Sequence, residues 1–240
     1  MAQVFAGTSG WAYPSWKPAF YPEKLAQKKF LGFYTTKLNT VEVNFTFRQL
    51  VKETTIQNWL NDSPPHFRFG VKAHQVITHI KRLKGTEDFL PRFLATIEPL
   101  AAAGKLGPVL FQLPPNLKAD TALLKDFLAA LPRSVPAAFE FRHESWFNDA
   151  TWDLLRSSNV ALCVAETETR TTPDIVTGKF AYYRFRKPTY TGDERRTMVD
   201  RARQHIAEGR DVFAYFKHEE TPEGALYAVD LLRELTSASA

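Results

Sequence analysis

The feature that most constrains this 240-residue chain is an alternation of short β-branched or aromatic runs with longer segments of helical spacing. Strands separated by helix-length connections run parallel, because antiparallel neighbours need only a hairpin, and the helices then cover the faces of the sheet. The runs predict strands at residues 4–8, 40–44, 67–72, 108–113, 137–142, 160–164, 180–185 and 212–217, and helices at 22–37, 52–60, 87–103, 120–130, 148–157, 193–208 and 221–234. Several helices carry their own boundary signals: Thr86, Asp120 and Thr221 as starts, the last with Pro222 behind it, and Gly104 and Gly209 as stops. Only 166–179, rich in Thr and holding a Pro, reads as a long loop. Eight strands at this length predict an α/β fold, a single (β/α)₈ TIM-type barrel over 1–240, with no Pro/Gly/Ser linker to divide it.

Hydrophobic residues make up 44% and charged residues 24%, enough to bury a full core without staples. The one cysteine, Cys163, has no internal partner, and no basic stretch precedes an apolar run at the N-terminus, so a cytoplasmic protein is expected. No apolar stretch approaches the ~18 residues that cross a bilayer, so no membrane partner is expected. The formal charge of +5 favours anionic partners, but the basic residues are spread along the chain rather than gathered in a nucleic-acid motif.

Successive strand side chains point to opposite faces, so parity sorts them between the barrel interior and the layer beneath the helices. Val41 and Val43 oppose Thr40, Glu42 and Asn44; Phe67, Phe69 and Val71 oppose Arg68, Gly70 and Lys72; Phe139 and Phe141 oppose Glu140 and Arg142; Tyr183 and Phe185 oppose Tyr182 and Arg184. With the apolar face under the helices, Glu42, Asn44, Lys72, Gln112, Glu140, Arg142 and Arg184 converge inside, near the C-terminal strand ends where barrel enzymes keep their active sites. A buried ion without a partner costs several kcal/mol, so these groups pair, bind something or reach water. Structural ion pairs, Glu140 with Arg142 or Glu42 with Lys72, are the alternative. Arg68, at the start of its strand, belongs to the opposite end.

The chain resembles the YecE-like proteins, domain-of-unknown-function family 72. The matching blocks are Gly7-Thr8-Ser9-Gly10-Trp11 with Tyr13 and Trp16, Val41-Glu42-Val43-Asn44 followed by Phe45-Thr46-Phe47-Arg48, and Phe69-Gly70-Val71-Lys72 with Thr78-His79. Leu110-Phe111-Gln112-Leu113-Pro114-Pro115 and Glu140-Phe141-Arg142-His143 with Ser145-Trp146 complete the set. The resemblance implies a (β/α)₈ barrel and carries no agreed reaction. It weakens toward the end, where Tyr183-Arg184-Phe185-Arg186-Lys187 lacks the family's His-Gly pair and Phe216-Lys217-His218 stands in place of Phe-Asn-Asn.

Lys72, Arg142 and Arg184 against Glu42 and Glu140 predict a slightly positive mouth, complementary to a small phosphate- or carboxylate-bearing molecule. An enzyme with Glu140 or Glu42 as base and His79 or Lys72 as acid is the preferred reading, with Asn44, Gln112, Arg142 and Arg184 holding the ligand. Lys72 is alternatively a Schiff-base lysine, if desolvation lowers its pKa. Trp11, Tyr13 and Trp16 either stack on a ligand or plug the barrel top. Cys163, in an apolar strand, reads as an inert thiol. No motif requires a cofactor. A divalent metal on Glu42, Glu140, His79 and His143 remains an option, although no HxH, HExxH or CxxC spacing occurs. P-loop, dinucleotide and GxSxG motifs are also missing from the sequence. The reading from another class is a nucleic-acid-associated protein that stacks bases on exposed Trp11, Trp16 and Trp146.

Overall fold

A computed structural model of the chain describes residues 2–169, 171–217 and 220–236. Eight strands form one parallel sheet: β1 (Val4–Thr8), β2 (Thr40–Val43), β3 (Arg68–Lys72), β4 (Leu106–Gln112), β5 (Ala137–Glu140), β6 (Ala161–Glu166), β7 (Phe180–Phe185) and β8 (Asp211–Phe216). Their order is β1-β8-β7-β6-β5-β4-β3-β2, so β3 to β7 each lie between their sequence neighbours, β8 joins β7 to β1, and the sheet curls into a nearly closed TIM-type barrel. Outside it run α1 (Phe30–Tyr34), α2 (Glu53–Asn61), α3 (Phe89–Ala102), α4 (Thr121–Ala130), α5 (Asp149–Ser157), α6 (Gly192–Ala207) and α7 (Glu223–Thr236). Each expected strand is present. Among the described residues no helix is long and apolar enough to cross a membrane.

Side-chain caps hold the starts of α4, α5 and α6, whereas α3 begins at Phe89 behind Asp88 with no side-chain cap, in place of the start expected at Thr86. Asp120 accepts from the Leu123 amide, Asn148 from Thr151, and Thr191 forms a reciprocal capping box with Glu194. Gly104 and Gly209 adopt φ of 66° and 76°, the left-handed geometry that ends α3 and α6.

The expected helix over 22–37 is largely replaced. Only Phe30–Tyr34 is α-helical, after a 3₁₀ turn at Gln27–Lys29. Phe20 and Tyr21 fold against Phe30, Phe33 and Tyr34, with Tyr21 and Phe30 stacked at 4.1 Å and Trp16 packed on Phe20 and Tyr21, so aromatic packing outweighs local helical spacing. Trp16 itself is fully buried.

The strands β1 and β2, at the two ends of the sheet order, are stitched together by side chains. Asn39 Oδ1 accepts from the Ala6 amide at 2.9 Å while its Nδ2 donates to the Val4 carbonyl at 2.8 Å. Higher up, the Tyr34 hydroxyl accepts from the Thr8 amide at 2.8 Å and donates to the Thr40 carbonyl at 3.0 Å. Gly7 permits this approach, since a Cβ there would lie 1.9 Å from the Thr40 carbonyl oxygen. Inside the barrel, Phe5, Leu110, Ala138, Cys163, Tyr182, Phe213 and Tyr215 form a dry floor, and the valines and phenylalanines of the opposite parity pack under the helices. Above this floor the inward charged side chains face the C-terminal mouth, while Arg68 lies at the other end, over the Phe5 ring.

Candidate active site

Three strands deliver a buried ion triad above that floor. Arg184, the inward residue near the end of β7, donates from Nη2 to Glu42 Oε1 at 2.7 Å and from Nε to Glu42 Oε2 at 2.9 Å. Its Nη1 reaches Glu140 Oε2 at 2.5 Å. All three side chains are nearly inaccessible to solvent. The remaining carboxylate capacity is also taken. Glu42 accepts from Ser9 Oγ at 2.8 Å, Tyr182 OH at 2.6 Å and Asn44 Nδ2 at 3.3 Å; Glu140 accepts from Gln112 Nε2 and from Arg142 Nε at 3.0 Å. Burial alone would raise the Glu140 pKa, but Arg184, Arg142 and the Gln112 amide outweigh it and hold the acid at about 2. Arg184 is likewise desolvated, and its two glutamates push its pKa upward and keep it charged.

Lys72 is placed differently. It points inward from the end of β3, as parity predicts, yet among the described residues its Nζ makes no ion pair and no hydrogen bond. It sits over the Phe47 ring, 4.3 Å from the centroid. Desolvation first and the Arg184 charge second, only partly offset by Glu42 and Glu140, lower its pKa to about 8. Of the two structural pairings expected from sequence, Glu140 with Arg142 is present, and Glu42 is taken by Arg184 in place of Lys72.

His79 lies in a π-helical turn, Val76–Ile80, after β3, and its ring meets the Phe47 ring edge-on at 4.9 Å. Burial, Lys72 and Arg142 all lower its pKa, so the imidazole is neutral near pH 7. Its Nδ1 is 2.9 Å from Thr78 Oγ1, which leaves Nε2 for another partner.

Asn44, Phe47, Lys72, Gln112, Glu140, Arg142 and Arg184 line a cavity of about 880 Å³, and His79 adjoins it through Phe47 without lining it. Among the described residues its lining carries six cationic side chains, Arg48, Lys72, Arg142, Arg184, Arg186 and Lys217, against the one carboxylate of Glu140. Thr167 and Thr169, on the connection after β6, close one side. That connection is anchored from below: Glu166 pairs with Lys187 at 3.0 Å, and Asp174 accepts from Tyr183 OH, which bonds His205 at 2.7 Å.

Trp11 and Tyr13 do not line this cavity. With Phe45, Trp59 and Asn44 they border a neighbouring apolar niche of about 320 Å³. Asn44 touches both spaces. Since Asn44 Nδ2 faces the Glu42 carboxylate, Oδ1 is turned away from it, and among the described residues that buried oxygen has no hydrogen-bond partner.

Two expectations are corrected. Trp16 and Trp146 are fully buried, Trp146 stacking on Phe141 at 4.7 Å and donating to the Leu117 carbonyl, so they form no exposed stacking platform. And among the described residues no three or more His, Cys, Asp or Glu side chains gather as a metal-ligating set; His143 instead caps the turn at Glu144–Trp146, and Arg184 occupies the space between Glu42 and Glu140. Sequence reasoning passed over Ser9, Tyr182 and Arg186 as site residues. Tyr182 and Arg186 share the parity of Arg184, and Ser9 stands within the first family block, so the signals were there. Arg48, Thr167 and Thr169 arrive on loops, where no periodicity marks them. His218 lies outside the described residues.

The chain is 28% identical to the UPF0759 protein YunF of Bacillus subtilis over 151 residues, 60% of this chain and 52% of that protein. It is also 28% identical to the UPF0759 protein YecE of Escherichia coli K12 over 145 residues, 60% of this chain and 50% of that one. The matches thus span about half the length of these curated relatives. A DUF72 family protein from Thermotoga maritima superposes with a TM-score of 0.87 at 26% identity, covering 98% of this chain and 99% of that one. Another, from Enterococcus faecalis, does so at 0.77 with 16% identity over 99% and 98%, a likeness of fold alone. With the family model for proteins of unknown function DUF72 matching residues 5–240, the chain belongs to the DUF72 family.

Proposed function

We propose that this chain is a single-domain cytoplasmic enzyme that binds a small phosphate- or carboxylate-bearing substrate in the cationic mouth and transfers a proton there. The observation that carries this reading is Lys72: an inward cation at a strand end, facing a cavity wide enough for a metabolite, whose natural counter-ions are committed to Arg184. An anion that enters supplies the missing partner. Arg142, Arg186 and Lys217 extend the positive wall, and guanidinium groups accept phosphate or carboxylate through paired donors.

The geometry redistributes the proton-transfer roles. Glu140, held near 2 with both oxygens occupied, is a feeble base, and both oxygens of Glu42 are already taken by Arg184, so the two are assigned to positioning Arg184, Arg142 and Gln112. His79 is assigned as base, since burial and the nearby Lys72 and Arg142 charges keep its imidazole neutral, and Lys72, lowered to about 8, as acid. Asn44 Oδ1 is assigned to a donor on the substrate, and Trp11 and Tyr13 to any apolar portion that reaches the adjoining niche.

Calorimetric titration and thermal unfolding with inorganic phosphate test the reading. Phosphate binding N but not U raises the melting temperature by mass action, and the gain should vanish in Lys72→Gln combined with Arg142→Gln. Absence of any phosphate effect, together with tight, steeply salt-dependent binding of single-stranded DNA, would replace this enzyme reading with the nucleic-acid one.

A further inference from the structure

We propose that Lys72 forms a covalent imine with an aldehyde or ketone that also carries a phosphate or carboxylate group. The inference rests on the anion-binding mouth proposed above and names its substrate class. Three features of the placement support it. Arg184 takes up Glu42 and Glu140, so among the described residues no carboxylate pairs with the Lys72 ammonium. The Nζ lies on the face of Phe47, an apolar support whose ring also stabilises a cationic iminium once formed. The cavity in front of it is lined with positive charge, which draws an anionic carbonyl compound in and disfavours a second ammonium. A pKa near 8 leaves a useful fraction of free amine at neutral pH.

The step balances without a redox partner. The neutral amine attacks the carbonyl carbon, the Nζ–C bond forms, and the π pair of the carbonyl passes to oxygen. His79, whose ring shares Phe47 with Lys72, takes a proton from nitrogen and returns one to that oxygen. A proton from solvent, equivalent to the one the Lys72 ammonium gave up before the attack, then protonates that hydroxyl, and the nitrogen lone pair expels it as water. Ammonium and carbonyl have become iminium and water, with charge conserved.

Reductive trapping tests it. The protein is incubated separately with glyceraldehyde 3-phosphate and with pyruvate in sodium cyanoborohydride, then digested and mapped by mass spectrometry. The expected result is a single adduct at Lys72, formed at least tenfold faster than at exposed Lys118, half-maximal near pH 8 and slowed by inorganic phosphate. Lys72→Arg should abolish that adduct while phosphate still raises the melting temperature, because a cation remains. If phosphate stabilises the wild type but labelling spreads over surface lysines with no preference for Lys72, the imine is refuted and the anion site stands. If phosphate has no effect and Lys72 is not trapped, both fall. Trapping that persists at the same rate in Lys72→Met, through another lysine, also refutes the assignment.

Discussion

Arg184 grips Glu42 through two separate nitrogens, Nε and Nη2, at 2.9 and 2.7 Å, and so ties the end of β7 to β2 across the width of the barrel. Its third nitrogen is committed to Glu140. Breaking a buried pair leaves uncompensated charge, which typically costs 3–5 kcal/mol, and here two carboxylates are stranded at once. Arg184→Met should therefore lose at least about 3 kcal/mol in urea unfolding. Arg184→Lys should recover little, because an ammonium cannot span both glutamates with the same fork. A loss under about 1 kcal/mol would mean that the triad contributes no more than a surface pair.

Glu140 predicts an acid limb of stability. Its pKa is about 2 in the folded chain against the usual 4.5. Above pH 4.5 both states are ionised and the full contribution is present; between 4.5 and 2 the unfolded chain binds a proton that the folded chain refuses, so stability falls as pH drops. Glu140→Gln should be less stable than wild type at pH 7 and show a shallower decline through that window, the two curves converging near pH 2. Parallel curves would remove Glu140 as the titrating group.

Much of this was legible from the chain. Side chains alternate strictly along a strand, so Glu42, Lys72, Gln112, Glu140 and Arg184 could be assigned to one interior from parity alone, and the eight strands from the spacing of their runs. What parity cannot supply is distance around the ring: that Arg184 rather than Lys72 reaches Glu42 depends on side-chain length and on where β7 and β3 stand relative to β2. The segment before α1 misled for a related reason. Residues 22–29 read in sequence as part of the helix, yet Phe20 and Tyr21 just before them pack on Phe30, Phe33 and Tyr34, partners that only the folded arrangement shows. Trp146, close to a charged strand end in sequence, is turned under Phe141 by the 3₁₀ turn that carries it.

The seam between β1 and β2 depends on few atoms. Tyr34 serves the Thr8 amide and the Thr40 carbonyl with one hydroxyl, in a fully buried place. Tyr34→Phe leaves both backbone groups without that partner, and each unsatisfied buried group costs about 1–3 kcal/mol. The expected loss is about 2–4 kcal/mol, with faster amide exchange at Thr8 than at Ala6, whose partner Asn39 is untouched. Equal protection at the two amides would show that the seam holds without the tyrosine.

Lys72 makes the opposite kind of prediction, that removing a charged residue stabilises. The folded chain releases its Lys72 proton near pH 8, whereas an unfolded lysine holds it to about 10.5. Below pH 8 both states carry the ammonium, and only the folded one suffers its desolvation and the repulsion of Arg184, so the group is a net cost there. Between 8 and 10.5 the unfolded chain binds more protons, and stability rises with pH. Lys72→Met keeps the stem packed on Phe47 while deleting the charge, so it should gain on the order of 1–3 kcal/mol at pH 7 and lose the rise above pH 8. A lysine kept for structure would do the reverse, losing stability on replacement. A destabilised Lys72→Met would mean that the ammonium has a folded-state partner strong enough to offset its burial, and would remove the reason to regard it as waiting for an anion. A stabilised one would mark Lys72 as a residue retained at a thermodynamic cost, the pattern expected where function, and not packing, requires it.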